Sequence, residues 1–546
     1  MRQITRLIKV FNTIKHLKFK QFHYRLYYKL FKPRIKLFST PNCLDWNWNG
    51  ENILPKSIID ECNVSLLNKT VNIEEPNCWN DTQQDKLWLY NLHYFDDLNA
   101  IDFEERQNLH LSLIKRWIEE NPPCSGNGWE PYPLSLRLVN WVKWFSRFDS
   151  VESKYLRSIV EQSEALTQQL EYHILGNHLF ANAKALTFVG CYLKGEVGNK
   201  YLNIGLKILD AEIPEQFLSD GSHFELSPMY HGILLWDLLE LIELAGISKN
   251  QAVLSRKKLW EAYAKRALLW LESMLHNDGE ISFFNDAAIG IAPKPLQIFD
   301  YAKKLELTWD LPRKNLITNI VSGYSRIDYP LYRLFFDHAN VGPDYLPGHA
   351  HADTLSFELS VGEQRVFVNS GTSLYGVSEE RLRQRKTAAH NTVTVNDHDS
   401  SEVWSGFRVA RRAYATLVSA SSTPDIVKII AKHDGYKRLN TSTLHQRSIT
   451  ANQDLIIIYD ELFGNSKGKY HLHLHPDIQL TKIDVYTLGL KLPSGDVVEF
   501  NSSAPLTTQQ CSWHPYFGVS LNSLKIVIDF NSEKLLTKIK ILKVNT

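Results

Sequence analysis

The sequence predicts an α+β multidomain chain, a helical region followed by an antiparallel β region that folds as a sandwich. Three observations carry this. The chain has 546 residues, beyond the size of one ordinary domain. From about residue 86 to 322 apolar residues recur at spacings of three and four, and after about 325 the spacing becomes two. Strands gathered after helices, rather than alternating with them, indicate separate helical and β domains. The expected boundaries are 1–85 for a basic arm and irregular segment, 86–322 for the helical domain and 323–546 for the β domain.

The arm comes first. Residues 1–36 hold eleven Lys or Arg and no Asp or Glu. Cations interrupt every apolar stretch, so the run lacks the hydrophobic core and small-residue cleavage site of a secretory signal. It reads as amphipathic, either packed on its own protein or touching an anionic membrane surface. Residues 38–85 (TPNCLDWNWNGENILP, EEPNCWNDTQQD) are rich in Asn, Pro, Trp and Asp and read as irregular with short strands.

The helical region follows. In LSLRLVNWVKWFSRF, Leu134, Leu138, Trp141, Val142 and Phe145 fall on one face. YHILGNHLFANAKALTFVGCYL, HGILLWDLLELIELAG and KLWEAYAKRALLWLESML repeat the pattern, as expected of stacked antiparallel helical pairs. YRLFFDHANV, DTLSFELSVGEQRVFVNSG, HNTVTVND, DLIIIYDELFG, KYHLHLHPD and DVVEFNSS then read as strands bounded by turn residues. Gly-Glu between two runs and Ser-Gly-Asp before VVEF are hairpin signals.

Bulk composition excludes several roles. Lys and Arg total 61 against 60 Asp and Glu, so no global field attracts nucleic acid, and an acidic ligand needs a local cluster. The six cysteines are scattered without a CxxC pair and read as free thiols. No segment approaches the roughly 18 uninterrupted apolar residues of a membrane span. The cytoplasm is the expected compartment, with the inner-membrane surface and the periplasm as alternatives.

The chemistry concentrates in a few places. In PGHAHADTLSFEL, a period of two puts His349, His351 and Asp353 on the face that continues as Leu355, Phe357 and Leu359. Buried imidazoles and carboxylates must be hydrogen-bonded, paired or metal-bound. A second strand brings His390, and Asn369 in VFVNSGT lies between them in the chain, so the three form a candidate divalent-metal set in which the neutral amide is the weak member. HLHLH at 471–475 is expected to be an exposed strand face rather than a ligand set. Asn177 and His178 interrupt an apolar helix. In DGSHFELSPMYH, Ser227 suits the N-cap and Pro228 the first turn, and Tyr230 falls where the helix dipole favours phenolate. Arg137 stands on an otherwise apolar helix, and Arg385 comes from the basic run EERLRQRK at 379–386.

This inventory of amide, imidazole, phenol and guanidinium suits elimination across C4–C5 of a uronic acid. Removing the C5 proton builds charge on the adjacent carboxylate, which needs neutralising; a base takes the proton and an acid protonates the leaving oxygen.

GWEPYPLSLRLVNW, LGNHLFANAKAL, DGSHFELSPMYH, GHAHADTLSFEL and AAHNTVTVND, in that order over residues 128–397, resemble the heparinase II/III-like polysaccharide lyase superfamily, which includes related alginate lyases. The resemblance implies an incomplete α/α toroid followed by an antiparallel β-sandwich, with the site in the cleft between them. It implies that Asn177 and His178 neutralise the uronate, that Tyr230 is the general acid, and that His349 is the other proton-transfer residue. Glu225 and Tyr375 would assist; apart from the resemblance, Arg137, a residue type suited to neutralising a uronate, and Arg385 are candidate substrate-binding residues. His351 and His390 match metal-binding histidines, implying zinc in the β domain, although Asn369 stands where the family usually has Asp. The function implied is β-elimination on an acidic polysaccharide. The alternatives are a non-eliminating enzyme or accessory factor of surface-polysaccharide biosynthesis, and a degenerate glycan-binding protein.

Overall fold

The computed structural model describes residues 2–35, 41–531 and 534–542, with side chains from residue 6 onward. Two basic helices, α1 (Arg2–Ile14) and α2 (Phe19–Leu30), open the chain, and a hairpin of Asn63–Leu66 with Lys69–Asn72 follows. The helical part comprises α3 (Lys86–Tyr94), α4 (Gln107–Glu120), α5 (Pro131–Phe145), α6 (Ser153–Thr167), α7 (Gly176–Tyr192), α8 (Gly195–Gln216), α9 (Pro228–Ser248), the single turn α10 (Gln251–Leu254), α11 (Lys257–Ser273) and α12 (Pro295–Lys304). One apolar core joins them, and it includes the α5 residues whose spacing predicts a helix. A short helix, α13 (Glu379–Arg385), lies among the strands.

The β part is antiparallel throughout its three larger sheets. One has eight strands in the spatial order 415–422, 427–433, 444–451, 455–463, 534–542, 497–502, 487–491 and 479–482. A four-stranded sheet (506–513, 521–530, 468–473, 393–395) and a five-stranded sheet (316–319, 324–329, 332–337, 357–361, 364–367) supply the opposing layer. Ile429, Ile449 and Ile539 of the first meet Leu472, Ile528, Leu334 and Phe357 of the others in a second core. The Gly362–Glu363 and Ser494–Asp496 turns do connect paired strands.

A third apolar cluster fastens the halves together, with Leu226, Trp270, Met274 and Phe284 from the helical side and Tyr324, Phe335 and Ala339 from the strands. The 281–289 segment runs along this seam and bonds the β part through Asp286 N–H to His349 O (2.9 Å) and Ile289 N–H to Pro515 O (2.7 Å).

Three local expectations need correction. The strand begins only at Phe357, so His349, His351 and Asp353 sit in an irregular loop, with Leu355 at φ +66° just before the strand. His471 and His473 are buried rather than exposed, because their strand lies inside the four-stranded sheet. They bond Thr394 Oγ1 (3.1 Å) and Asn391 Oδ1 (3.2 Å) as core histidines, and His471 Nδ1 is left buried without a partner. Finally, α7 begins at Gly176, which places Asn177 and His178 in its first turn and not in mid-helix.

Candidate active site

Two helix N-termini and one loop build the site. Ser227 caps α9, its Oγ accepting from the Tyr230 N–H (3.2 Å) while donating to Asp286 O (2.5 Å). That one side chain fixes Tyr230 relative to the seam segment. Leu175 (φ +73°) and Gly176 (φ +60°) turn the chain into α7. The positive φ of Gly176 favours glycine, and a Cβ there would also crowd Leu346 Cδ2 (2.4 Å) and Glu225 Oε1 (2.8 Å). The Asn177 N–H in turn points at Glu225 Oε1 (3.4 Å).

Tyr230 and His349 meet across the two halves with ring centroids 3.9 Å apart, and the Tyr230 hydroxyl bonds that of Tyr375 at 2.9 Å. His349 Nδ1 bonds Asp286 Oδ2 (2.9 Å), leaving Nε2 to face Glu225 Oε2 at 3.5 Å, beyond hydrogen-bond length. That Glu225 oxygen is buried without a hydrogen-bond partner. On the other side of Glu225, His178 Nδ1 bonds Glu171 Oε1 (2.8 Å) and its ring lies 4.4 Å from Tyr132. Asn177 and His349 thereby face the Glu225 carboxyl, Tyr230 packs on His349, and His178 is bonded to a second carboxyl, Glu171.

The electrostatics follow from burial and partners. Burial, then Tyr375, push the Tyr230 phenol well above its usual range, so the N-terminal dipole of α9 does not yield a resting phenolate, contrary to the expectation from helix position. Burial raises the Glu225 carboxyl too. For His178 burial acts downward, but the Glu171 carboxylate overcomes it and the imidazole is raised. For Asp286 burial acts upward, yet Arg381 and the hydrogen bonds from His349 and His351 hold it well below the usual carboxylate range.

Asp286 and Arg381 are the residues that sequence reasoning misses. Arg381, fully buried, forks onto both Asp286 oxygens, with Nη2 at 2.7 Å from Oδ2. Asp286 also bonds His349, His351 Nε2 (2.8 Å) and the Thr372 hydroxyl (3.3 Å). Asn285 beside it receives the His351 N–H on Oδ1 (3.0 Å) and donates its own N–H to Asp353 Oδ2 (2.9 Å). The polar pair Asn285–Asp286 within SFFNDAAIG is the only sequence signal.

Arg137 and Arg385 require correction as substrate-binding candidates. Arg137 is buried in the helical core, stacked 3.8 Å over Trp117, and bonds Gln162 Oε1, His93 O and Gly128 O. Arg385 is buried and staples Ala350 O to Ser405 O and Gly406 O. Both guanidiniums are consumed by the fold.

The metal set also differs from expectation. His351 Nδ1 and His390 Nε2 do meet at 3.2 Å. The Asn369 amide, however, donates to Phe283 O (2.8 Å) and accepts from the Asn391 N–H (3.2 Å). Among the described residues no three His, Cys, Asp or Glu side chains converge as a metal site. With the Asn369 amide spent on backbone groups, the two imidazoles lack the third protein ligand that a zinc ion needs.

The chain is similar over most of its length to known proteins. A heparinase II/III N-terminus model matches residues 78–302, and a heparinase II/III-like C-terminal model matches residues 313–542. A heparin-sulfate lyase of Bacteroides thetaiotaomicron is 23% identical over 412 residues, covering 66% of this chain and 56% of that protein. The FtsZ-localized protein C of Caulobacter vibrioides is 26% identical over 425 residues, covering 71% of this chain and 69% of its own. A crystal structure of heparinase III superposes with a TM-score of 0.71 at 17% identity, covering 96% of this chain and 89% of that one. That likeness shows the fold, and the chain spans 56% and 53% of the length of the two Bacteroides lyases it matches.

Proposed function

The chain belongs to the heparinase II/III-like superfamily, and from that premise we propose that it is a polysaccharide lyase cleaving a uronate-containing glycan by β-elimination. The observation that carries this reading is the Tyr230–His349 pair, 3.9 Å between rings, with His349 Nε2 and the Asn177 N–H both facing Glu225.

In this reading the uronate carboxylate lies against the first turn of α7. The Asn177 amide and the His178 imidazole, raised by Glu171, offset the charge that grows as C5 loses its proton. Burial raises the Glu225 carboxyl, which tempers its repulsion of the uronate. With Nδ1–H given to Asp286, His349 presents a free Nε2 lone pair as the base for C5. The C5–H electrons become the C4=C5 bond as the C4–O bond breaks. Tyr230, kept protonated by burial, gives its proton to the departing oxygen and can recover one through Tyr375. Asp286 does not move a proton. Arg381 keeps it ionised, and it sets the tautomer and orientation of His349. No metal enters any step.

The experiment is a panel of acidic glycans followed by the ultraviolet absorbance of the unsaturated uronate end. The expected result is signal on at least one uronate polymer, reduced about 100-fold or more in Tyr230→Phe and in His349→Ala. A folded protein silent on every uronate polymer would remove this reading. The competing reading is a non-eliminating role in which the fold is kept for binding or localisation. One observation favours it: the relative named for localisation, not catalysis, matches larger shares of both chains (71% and 69%) than the Bacteroides thetaiotaomicron lyase does (66% and 56%). Biological activity that survives both substitutions would select it.

A further inference from the structure

The N-terminal arm is amphipathic the wrong way round for a helix pair that merely packs on its own protein. In α1 the apolar stripe Leu7, Phe11 and Ile14 is 68, 64 and 39% exposed. The opposite, polar side faces the protein, where Thr13 Oγ1 donates to Val409 O (3.2 Å) and accepts from Trp404 Nε1 (3.1 Å). The inversion repeats in α2. Phe19, Phe22, Leu26 and Leu30, again one stripe at helical spacing, are 83, 43, 62 and 68% exposed. The side chain of α2 that is buried is Gln21, whose amide donates to Ile174 O (3.4 Å) and Tyr345 O (3.2 Å). Hydrogen bonds, and in α2 the Tyr24 and Tyr28 rings packed on Tyr172 and His173, therefore hold the two helices, while the Leu, Ile and Phe stripes are turned outward. A water-exposed helix is expected to do the reverse.

Charge identifies what covers the two stripes. The eleven cations of residues 1–36 face no acid in that segment. Among the described residues, the arm's cation–carboxylate contacts are Lys18 to Glu215 (2.8 Å) and His16 to Asp344 (3.9 Å). A second copy of this chain would bring a like-charged arm against this one. An anionic lipid surface supplies both hydrocarbon and phosphate, and helices of this kind lie in the plane of the headgroup–acyl boundary.

We propose that the α1–α2 arm docks the protein onto an anionic lipid bilayer, the two apolar stripes entering the acyl boundary and the Lys and Arg side chains lying among the phosphates. The segments that hold Gln21 run into Asn177 and His349, so the docked arm adjoins the segments that carry the candidate site. Docking does not depend on the chemistry of the cleft.

The test is co-sedimentation of the full chain with phosphatidylcholine vesicles containing about 30 mol% phosphatidylglycerol, against phosphatidylcholine alone. Binding to the anionic vesicles is expected, weakened by at least about tenfold on phosphatidylcholine alone and again in about 0.5 M NaCl. The double variant Leu7→Glu/Phe11→Glu should lose binding by a similar factor while keeping the parent's circular dichroism and melting temperature, since both side chains are exposed. A second double variant, Phe19→Glu/Leu26→Glu, repeats the test on α2. No binding to anionic vesicles, equal binding to neutral ones, or undiminished binding of both variants would overturn the proposal. So would a dimer that the variants convert to monomer without any vesicle binding by the parent.

Discussion

At the scale of single residues, the candidate site separates groups proposed to meet substrate from groups that hold them. Asn177, His178, Tyr230 and His349 drew notice in the sequence because a polar side chain in an apolar run must be satisfied by something. Asp286 and Arg381 did not. Asp286 sits in an irregular segment with no period to mark which way it points, and Arg381 is one of several cations in a basic run. Arg137 and Arg385 carried the same sequence signal as a binding arginine, and only their backbone acceptors show otherwise. The Asp286–Arg381 pair leads to a prediction. Arg381→Met strands a buried carboxylate, which should cost about 3–5 kcal/mol in denaturant unfolding. Arg381→Lys keeps the charge but not the fork, and is expected to lose much less stability while lowering kcat at nearly unchanged KM.

His178 gives a second residue-scale prediction, because its sign is fixed. Glu171 raises the imidazole above its usual 6.5, so the cation persists above that pH and is lost as pH rises through the folded value. Its contribution to stability is complete below the unfolded pKa and disappears over the same rise. The alkaline limb of kcat/KM on a uronate substrate should therefore contain this group. Glu171→Gln removes the anion, and the limb should move to lower pH. A limb that stays in place would mean that His178 does not carry charge to the substrate.

At the scale of elements, the two helix N-termini do most of the positioning. The Ser-Pro start of α9 could be read directly, since a hydroxyl before a proline is a strong start signal. The start of α7 could not. The apolar period runs back through Tyr172 and Ile174, and only the left-handed Leu175–Gly176 pair shows that the helix begins later. The histidine loop misled in the same way, because a period of two over so few residues does not distinguish a strand from an extended loop, whereas the Gly362 and Ser494–Asp496 hairpins were explicit in their turn residues. Ser227→Ala should cost about 1 kcal/mol as a cap, and more if the lost bond to Asp286 O is felt. The outcome is read as a lower unfolding midpoint together with reduced kcat, because the same hydroxyl ties Tyr230 to the seam.

At the scale of the whole molecule, the two domains were legible from the change of period, but their dependence on each other was not. The site exists only where they meet, with Tyr230, Asn177 and Glu225 on the helical side and His349, Tyr375 and Arg381 on the β side. The apolar seam of Trp270, Phe284, Tyr324 and Phe335 keeps them together. Phe335 is fully buried there, in the strand 332–337, and its ring lies 4.7 Å from His276 rather than near the proposed catalytic groups. Phe335→Ala should remove about 3–5 kcal/mol, and the loss should fall on the contact between halves before it reaches either core. Fluorescence can separate the two, because twelve of the fourteen tryptophans precede residue 310 and report on the helical half. In the parent protein, activity and tryptophan emission should be lost at one urea concentration, as expected of halves that unfold together. In Phe335→Ala activity should vanish at lower urea than the emission change, since the site comes apart when the seam opens while the helical core (Trp141, Trp144, Trp260) stays packed. Coincident curves in the variant would mean that the seam adds stability without holding the site together.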